Sequence, residues 1–224
     1  MSPGDYILNI LHDVPFEERT ILLMRHSKRD SVKGIPDHMR EGVEITAEGI
    51  QLARSFGVSL GQILPEKSIR LGHTVAHRCK MTAESIGDGY SNAGQVRHIG
   101  IQPDVGNVVV NPDEYVKLRN ELGWQQIIQM WLNEEIPEET LQNPHKYARN
   151  IVGQLISCSD KNHKDILIVI AHDVTILPVL YSVFGKTITA IEFLNGIVIT
   201  GNSSSPEIRY NDAELSLKAE LRLA

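Results

Sequence analysis

The run Ile21-Leu22-Leu23-Met24 passes directly into Arg25-His26-Ser27-Lys28-Arg29-Asp30, and the run Ile166-Leu167-Ile168-Val169-Ile170-Ala171 passes directly into His172-Asp173. Both begin as short, uninterrupted apolar segments. Such runs suit strands covered on both faces, as in a parallel sheet, rather than strands with one wet face. Both then end on a histidine beside charge. In open α/β sheets ligands bind at the carboxyl ends of the strands. The pattern therefore predicts two histidines, several cations and an acid converging at one edge of a sheet. One histidine after a strand is usually an ordinary loop residue; two strand ends of this kind are harder to explain by structure alone.

Helical signals fill the space between the two runs. Thr46 reads as the N-cap of a helix over Ala47–Phe56 with Gly57 as its stop, and Val75–Ile86 reads as a helix closed by Gly87. Asn111-Pro112-Asp113-Glu114 has the form of a helix start, with a cap, a proline at the first helical position and acids in the first turn. Asn143-Pro144 repeats it, with Tyr147, Ile151 and Leu155 then sharing a face. Thr175–Phe184 is a further helix ended by Gly185, and Asn195-Gly196 reads as a hairpin turn. The stretch after Asn202 fits strand or helix equally. Strands alternating with helices predict an α/β fold: a three-layer α/β/α sandwich with a mostly parallel central sheet. With no shift of composition along the chain, residues 1–224 read as one domain, and 105–147 as a helical insertion.

The 224 residues are 42% hydrophobic and 22% charged, which is ordinary globular composition. Disorder and low complexity are excluded as the main content. The 22 basic and 28 acidic side chains give a net charge of −6, against a general nucleic-acid binder. Cys79 and Cys158 are read as two free, buried thiols. The segment Met1-Ser2-Pro3-Gly4-Asp5-Tyr6 lacks a basic region and an apolar run, so a soluble cytoplasmic protein is expected.

Four segments together resemble the histidine phosphatase superfamily, the phosphoglycerate mutase-like fold. Arg25-His26-Ser27 resembles its Arg-His-Gly motif, and Thr46-Ala47-Glu48-Gly49 its Thr-x-x-Gly helix start. Arg78-Cys79-Lys80-Met81-Thr82-Ala83 resembles its second-arginine motif, and Ala171-His172-Asp173 its second histidine. The resemblance covers roughly residues 20 to 200. It implies a metal-independent, cofactor-free phosphatase acting on a small phosphomonoester, with His26 as the nucleophile that forms a phosphohistidine. Arg25, Arg78 and His172 would surround the phosphoryl oxygens, for which the always-charged forked guanidinium is well suited. Arg29, three residues after His26, matches the acid phosphatase and phytase branch, where it is another phosphate ligand. In that branch Asp follows the second histidine, which makes Asp173 the first candidate for general acid and Asp104 the second. Ser27 departs from the usual Gly; its hydroxyl is read as a possible phosphate donor. His73-Thr74 replaces the usual Ser-Ser pair. A mutase-type phosphotransferase and a weakly catalytic phosphate-binding module are the alternatives.

Other signals carry less. His73 and His77 have a helical metal spacing but lack the glutamate of a zinc-protease motif, so no metal site is assigned; His77 could instead line the pocket. Neither cysteine has an arginine six residues on, which excludes a cysteine phosphatase, and there is no phosphate-binding G-x-x-x-x-G-K loop. Trp124 and Trp131 are read as packing of the insertion onto the core, with a lid over the substrate as the other reading.

Overall fold

The computed structural model describes residues 2–14, 19–102, 105–159, 165–201, 206–213 and 215–221. In chain order the elements are α1 (Asp5–His12), β1 (Thr20–Arg25), a 3-10 helix (Asp37–Gly42), α2 (Ala47–Ile63), β2 (Ser68–His73), α3 (His77–Tyr90) and β3 (Gln95–Ile101). They continue with α4 (Pro112–Leu122), α5 (Trp124–Leu132), α6 (Pro144–Cys158), β4 (Asp165–Ala171), α7 (Asp173–Phe184), β5 (Gly196–Gly201), β6 (Pro206–Asn211) and β7 (Ser216–Glu220). The strands form a single sheet in the order β3-β2-β4-β1-β5-β6-β7.

Both apolar runs are strands, and they pair in parallel with Leu22 opposite Ile168. Strands β2 and β3 extend this parallel half. On its other side β1 pairs with β5 antiparallel, and β6 and β7 follow as antiparallel neighbours. The sheet is therefore mixed, with a parallel core of four strands and an antiparallel flank. The ambiguous stretch after Asn202 contributes strands β6 and β7.

Alternation along β1 explains the three layers. Ile21 and Leu23 face one core with Leu167, Val169 and the apolar faces of α5, α6 and α7. Leu22 and Met24 face the other with Ile168, Ile170 and α1, α2 and α3. Every one of these strand side chains is essentially inaccessible to water, which is why the runs are apolar without a break. No helix among the described residues is long and apolar enough to cross a membrane.

Several local expectations change. Gly57 does not stop α2, which runs on to Ile63; a Cβ at Gly57 would lie 2.2 Å from the Ile86 carbonyl, so the glycine allows α2 to lie against α3. Gly87 likewise sits inside α3 under Leu71 and Val96, and α3 begins at His77 rather than Val75. Asn195-Gly196 is not a hairpin turn. Gly196 opens β5 at a point where a Cβ would meet the Leu23 carbonyl at 2.1 Å, and buried Asn195 donates from Nδ2 to the Asn211 carbonyl (3.0 Å). Cys79 is buried, but Cys158, at the end of α6, is exposed. The two Asn-Pro helix starts hold: Asn111 accepts from the Glu114 N–H, and Asn143 from those of His145 and Lys146.

Candidate active site

Strands β1 and β4 are in register, with Arg25 opposite Ala171, so they release their next residues side by side. The His26 N–H donates to the Ala171 carbonyl (3.0 Å), which ties the two strand ends together beyond the last pair. His26 and His172 consequently meet edge to face, with ring centroids 5.4 Å apart.

The loop after β1 rests on two helices. The Ser27 N–H donates to Thr82 Oγ1 (3.0 Å), and that hydroxyl donates in turn to the Arg78 carbonyl (2.7 Å). Ser27 Oγ donates to the Gly49 carbonyl (2.7 Å). Thr46 caps α2 by accepting from the Gly49 N–H (3.0 Å), while its own N–H donates to the Lys28 carbonyl (3.0 Å). A Cβ at Gly49 would sit 2.2 Å from that same carbonyl. The threonines and the glycine of the two helical segments thus brace the loop that carries His26.

This bracing also settles the part played by Ser27. It is fully buried, does not line the cavity, and spends its hydroxyl on Gly49 rather than on the ligand space. Its expected role as a phosphate donor is not what the geometry shows. Nor is its backbone in the left-handed region that would demand glycine, so serine stands here without strain.

Hydrogen bonding fixes which nitrogen of each histidine is available. His26 Nδ1 lies 2.7 Å from the Ser27 carbonyl. A carbonyl only accepts, so Nδ1 carries the proton and Nε2 keeps its lone pair. His172 Nδ1 lies 3.5 Å from Arg78 Nη2, which only donates, and Nε2 lies 3.3 Å from Thr74 Oγ1. Nδ1 is then the acceptor, and Nε2 donates to Thr74. Burial is the main reason that His26 is pushed down to about 2; nearby His172, Arg78 and Arg25 add to it, against the bond to the Ser27 carbonyl. Burial and then Arg78, Arg25 and Arg29 push His172 down to about 3. Both rings are neutral at ordinary pH, as a nucleophilic imidazole must be. Cys79 packs beneath His172 with Sγ 3.8 Å from Nε2, and burial pushes its thiol up to about 11, so it stays protonated.

Arg25, His26, Arg29, Arg78, His172 and Asp173 all line one cavity of about 540 Å³. Arg25 Nη1 donates to the Ile191 carbonyl and its guanidinium lies 4.5 Å over the Phe193 ring, while Nη2 is 3.5 Å from Asp173 Oδ2. Arg78 Nη1 donates to the Arg40 carbonyl (2.6 Å). The Nε–H groups of Arg25, Arg29 and Arg78 are buried with no hydrogen-bond partner, as are those of Arg19 and Arg70 away from the cavity. Asp173 opens α7, where its Oδ1 accepts from the Val174 N–H (3.0 Å), so a helix N-terminus also faces the cavity. Asp104, the other candidate acid, lies outside the described residues.

The sequence reading did not find the rest of the lining: Lys33 from the loop after β1, Arg40 from the 3-10 helix, and Tyr115 and Arg119 from α4. A basic residue in a loop or an exposed helix carries no periodic signal, so nothing marked them. The two tryptophans divide: Trp131 is buried and donates to the Gln142 carbonyl (2.7 Å), whereas Trp124 lines the cavity. His77 is away from it and pairs with Glu44, and His73 ends β2 rather than sharing a helix with His77. No cluster of metal-binding side chains occurs among the described residues.

Solved structures of the same architecture include phosphoglycerate mutase from Bacillus anthracis (13% identity, TM-score 0.52, covering 84% of this chain and 91% of that one). Mycobacterial glucosyl-3-phosphoglycerate phosphatase, solved with vanadate, matches at 13% identity and TM-score 0.55, covering 90% and 97%. The fold is the phosphoglycerate mutase-like one. Phosphoserine phosphatase from Entamoeba histolytica, solved with 3-phosphoglyceric acid, shares it at 15% identity and TM-score 0.53 over 81% and 90% of the two chains. No protein-family model and no curated protein sequence matches this chain. In the phosphoglycerate mutase-like fold seen here, the parallel strand ends and the first turns of α3 and α7 bring Arg25, His26, Arg78, His172 and Asp173 to the cavity, and the loop after β1, the 3-10 helix and α4 supply the rest of its cations.

Proposed function

We propose that the protein is a metal-independent phosphatase that hydrolyses a small phosphomonoester through a phosphohistidine at His26. The observation that carries the reading is the His26 tautomer: Nδ1–H is committed to the Ser27 carbonyl, leaving a neutral Nε2 lone pair in a cavity lined by Arg25, Arg29 and Arg78. Attack by Nε2 on phosphorus forms the N–P bond and breaks the ester P–O bond. The arginines balance charge on the phosphoryl oxygens, which is the main requirement of phosphoryl transfer, and the neutral His172 ring lies beside His26 and accepts from Arg78. Asp173 gives its proton to the leaving oxygen, then takes one from the water that attacks the phosphohistidine, releasing phosphate and restoring His26. The Arg29 position and the His-Asp pair support the acid phosphatase type of site over the mutase type. The net charge of −6 supports a small ligand rather than a nucleic acid, and a cytoplasmic setting is part of the same reading.

The test is turnover of a generic aryl phosphate with and without a metal chelator. Chelator-resistant hydrolysis that falls to the uncatalysed background in His26→Ala, with an unchanged circular dichroism spectrum, is expected. Loss on chelation, or substantial turnover by the folded variant, would contradict the reading. Transfer to an added phosphate acceptor in preference to water would favour a mutase.

A further inference from the structure

We propose, resting on the reading above that Arg25 binds the phosphoryl group, that Phe193 is a positioning residue for the reaction. Its ring holds the Arg25 guanidinium by its π face and packs against His26, so one side chain sets the phosphate-binding arginine and the nucleophile relative to each other. Phe193 is half-buried and does not line the cavity, so it acts through these two residues and not on the ligand. The Arg25 guanidinium carbon lies 4.5 Å from the centre of the Phe193 ring, well within cation–π reach. The Phe193 and His26 ring centroids are 5.7 Å apart with the planes tilted by 41°, a distance at which aromatic rings are in contact. An arginine at the end of a flexible stem has many arrangements, and a ring against its flat face removes most of them.

The segment that carries Phe193 is built to keep it there. It lies just before β5 in a turn closed by the Asn195 N–H, which donates to the Glu192 carbonyl (3.2 Å). Arg25 is fastened to this segment on either side of the ring: its backbone N–H donates to the Asn195 carbonyl (2.8 Å) and its Nη1 to the Ile191 carbonyl. Asn195 is fully buried, and its Oδ1 accepts from the Gly196 N–H (2.8 Å). Leu194, the third residue of the turn, has φ of 58°, a left-handed conformation for which glycine or asparagine is the usual choice. The other non-glycine residues with positive φ among those described, Glu66 and Glu134, are exposed, whereas Leu194 is completely buried in the core shared with α1, α2 and α3. A bulky side chain does not adopt this conformation on its own account, so the packing around it imposes it. The result is a turn that sends Leu194 into the core and its neighbour Phe193 against Arg25 and His26.

Inorganic phosphate, titrated into the protein by calorimetry, tests this without requiring turnover. Pentafluorophenylalanine in place of Phe193 keeps the ring but reverses the electrostatic sign of its face, a change to which a purely packing role is indifferent. The phosphate Kd is expected to rise about fivefold or more with the fluorinated ring and in Phe193→Leu, and to stay within about twofold in Phe193→Tyr, which restores the π face. A Kd unmoved by fluorination, a Phe193→Tyr protein as weak as Phe193→Leu, or no phosphate binding by the wild type would overturn the proposal. If an aryl phosphate is hydrolysed while fluorination leaves the phosphate Kd unchanged, the role of Phe193 fails and the phosphatase reading stands. If fluorination weakens phosphate binding while the aryl phosphate is not turned over by the wild type, the phosphatase reading fails and the role of Phe193 in holding Arg25 stands.

Discussion

At the scale of single residues, the chemistry of His26 depends on a bond made by its other nitrogen. The Ser27 carbonyl fixes the tautomer, and burial removes the alternative of protonation. A histidine in water protonates near 6.5, whereas His26 is held down to about 2 and His172 to about 3. The lowered values mean that the unfolded chain takes up protons at these positions below pH 6.5 while the folded one does not. Folding stability from them is thus full above that pH and declines as pH falls toward 3. NMR of the ligand-free protein should show both imidazole signals unmoved between pH 7 and pH 5; a midpoint near 6.5 for either would refute the assignment. Asp173 has a separate signature. Asp173→Asn should slow an alkyl phosphate by roughly 10²–10⁴-fold, and an activated aryl phosphate, which needs no proton to leave, far less. Equal slowing would exclude a general acid at this position. The Ser27 result shows where a motif misleads: small size was legible in the sequence, but its hydroxyl bonds to Gly49 and its N–H to Thr82, brought from 22 and 55 residues away.

At the scale of elements, helix starts were legible and helix ends were not. Asn111 and Asn143 act through neighbours within three residues, so their capping can be read locally. Gly57 and Gly87 look locally like stops, yet each answers to a partner that the sequence does not place beside it. Gly57→Ala would press a methyl against the Ile86 carbonyl and should cost about 1–3 kcal/mol of stability, seen as a lower urea midpoint with an unchanged slope. Gly153→Ala in α6, where an added Cβ meets nothing within 4 Å, should instead stabilise by roughly 0.5–1 kcal/mol. Equal effects at the two sites would show that close approach of α2 and α3 is not what selects Gly57. The antiparallel flank was hidden for a similar reason: β5 is as apolar as a central strand needs while β6 alternates buried and half-buried residues, and neither the direction of pairing nor the neighbour can be read from one strand.

At the scale of the whole molecule, the parallel half of the sheet does the decisive work by ending β1 and β4 level with one another. That convergence was legible, because two buried runs each ended on histidine and charge. The outer rim of Lys33, Arg40 and Arg119 was not, because it comes from irregular or polar segments that only the fold assembles. The acidic balance of the chain, which at first sight counts against a phosphate ligand, coexists with a focused cationic cavity. All of these pieces must cooperate to place one lone pair against one phosphorus atom. Rapid acid-free quenching of the protein during turnover of a ³²P-labelled aryl phosphate, followed by peptide mapping, reads that event directly. The label is predicted on His26, stable to alkali and released by acid. Label on any other side chain, or steady turnover with no trapped adduct at all, would contradict a phosphohistidine at His26.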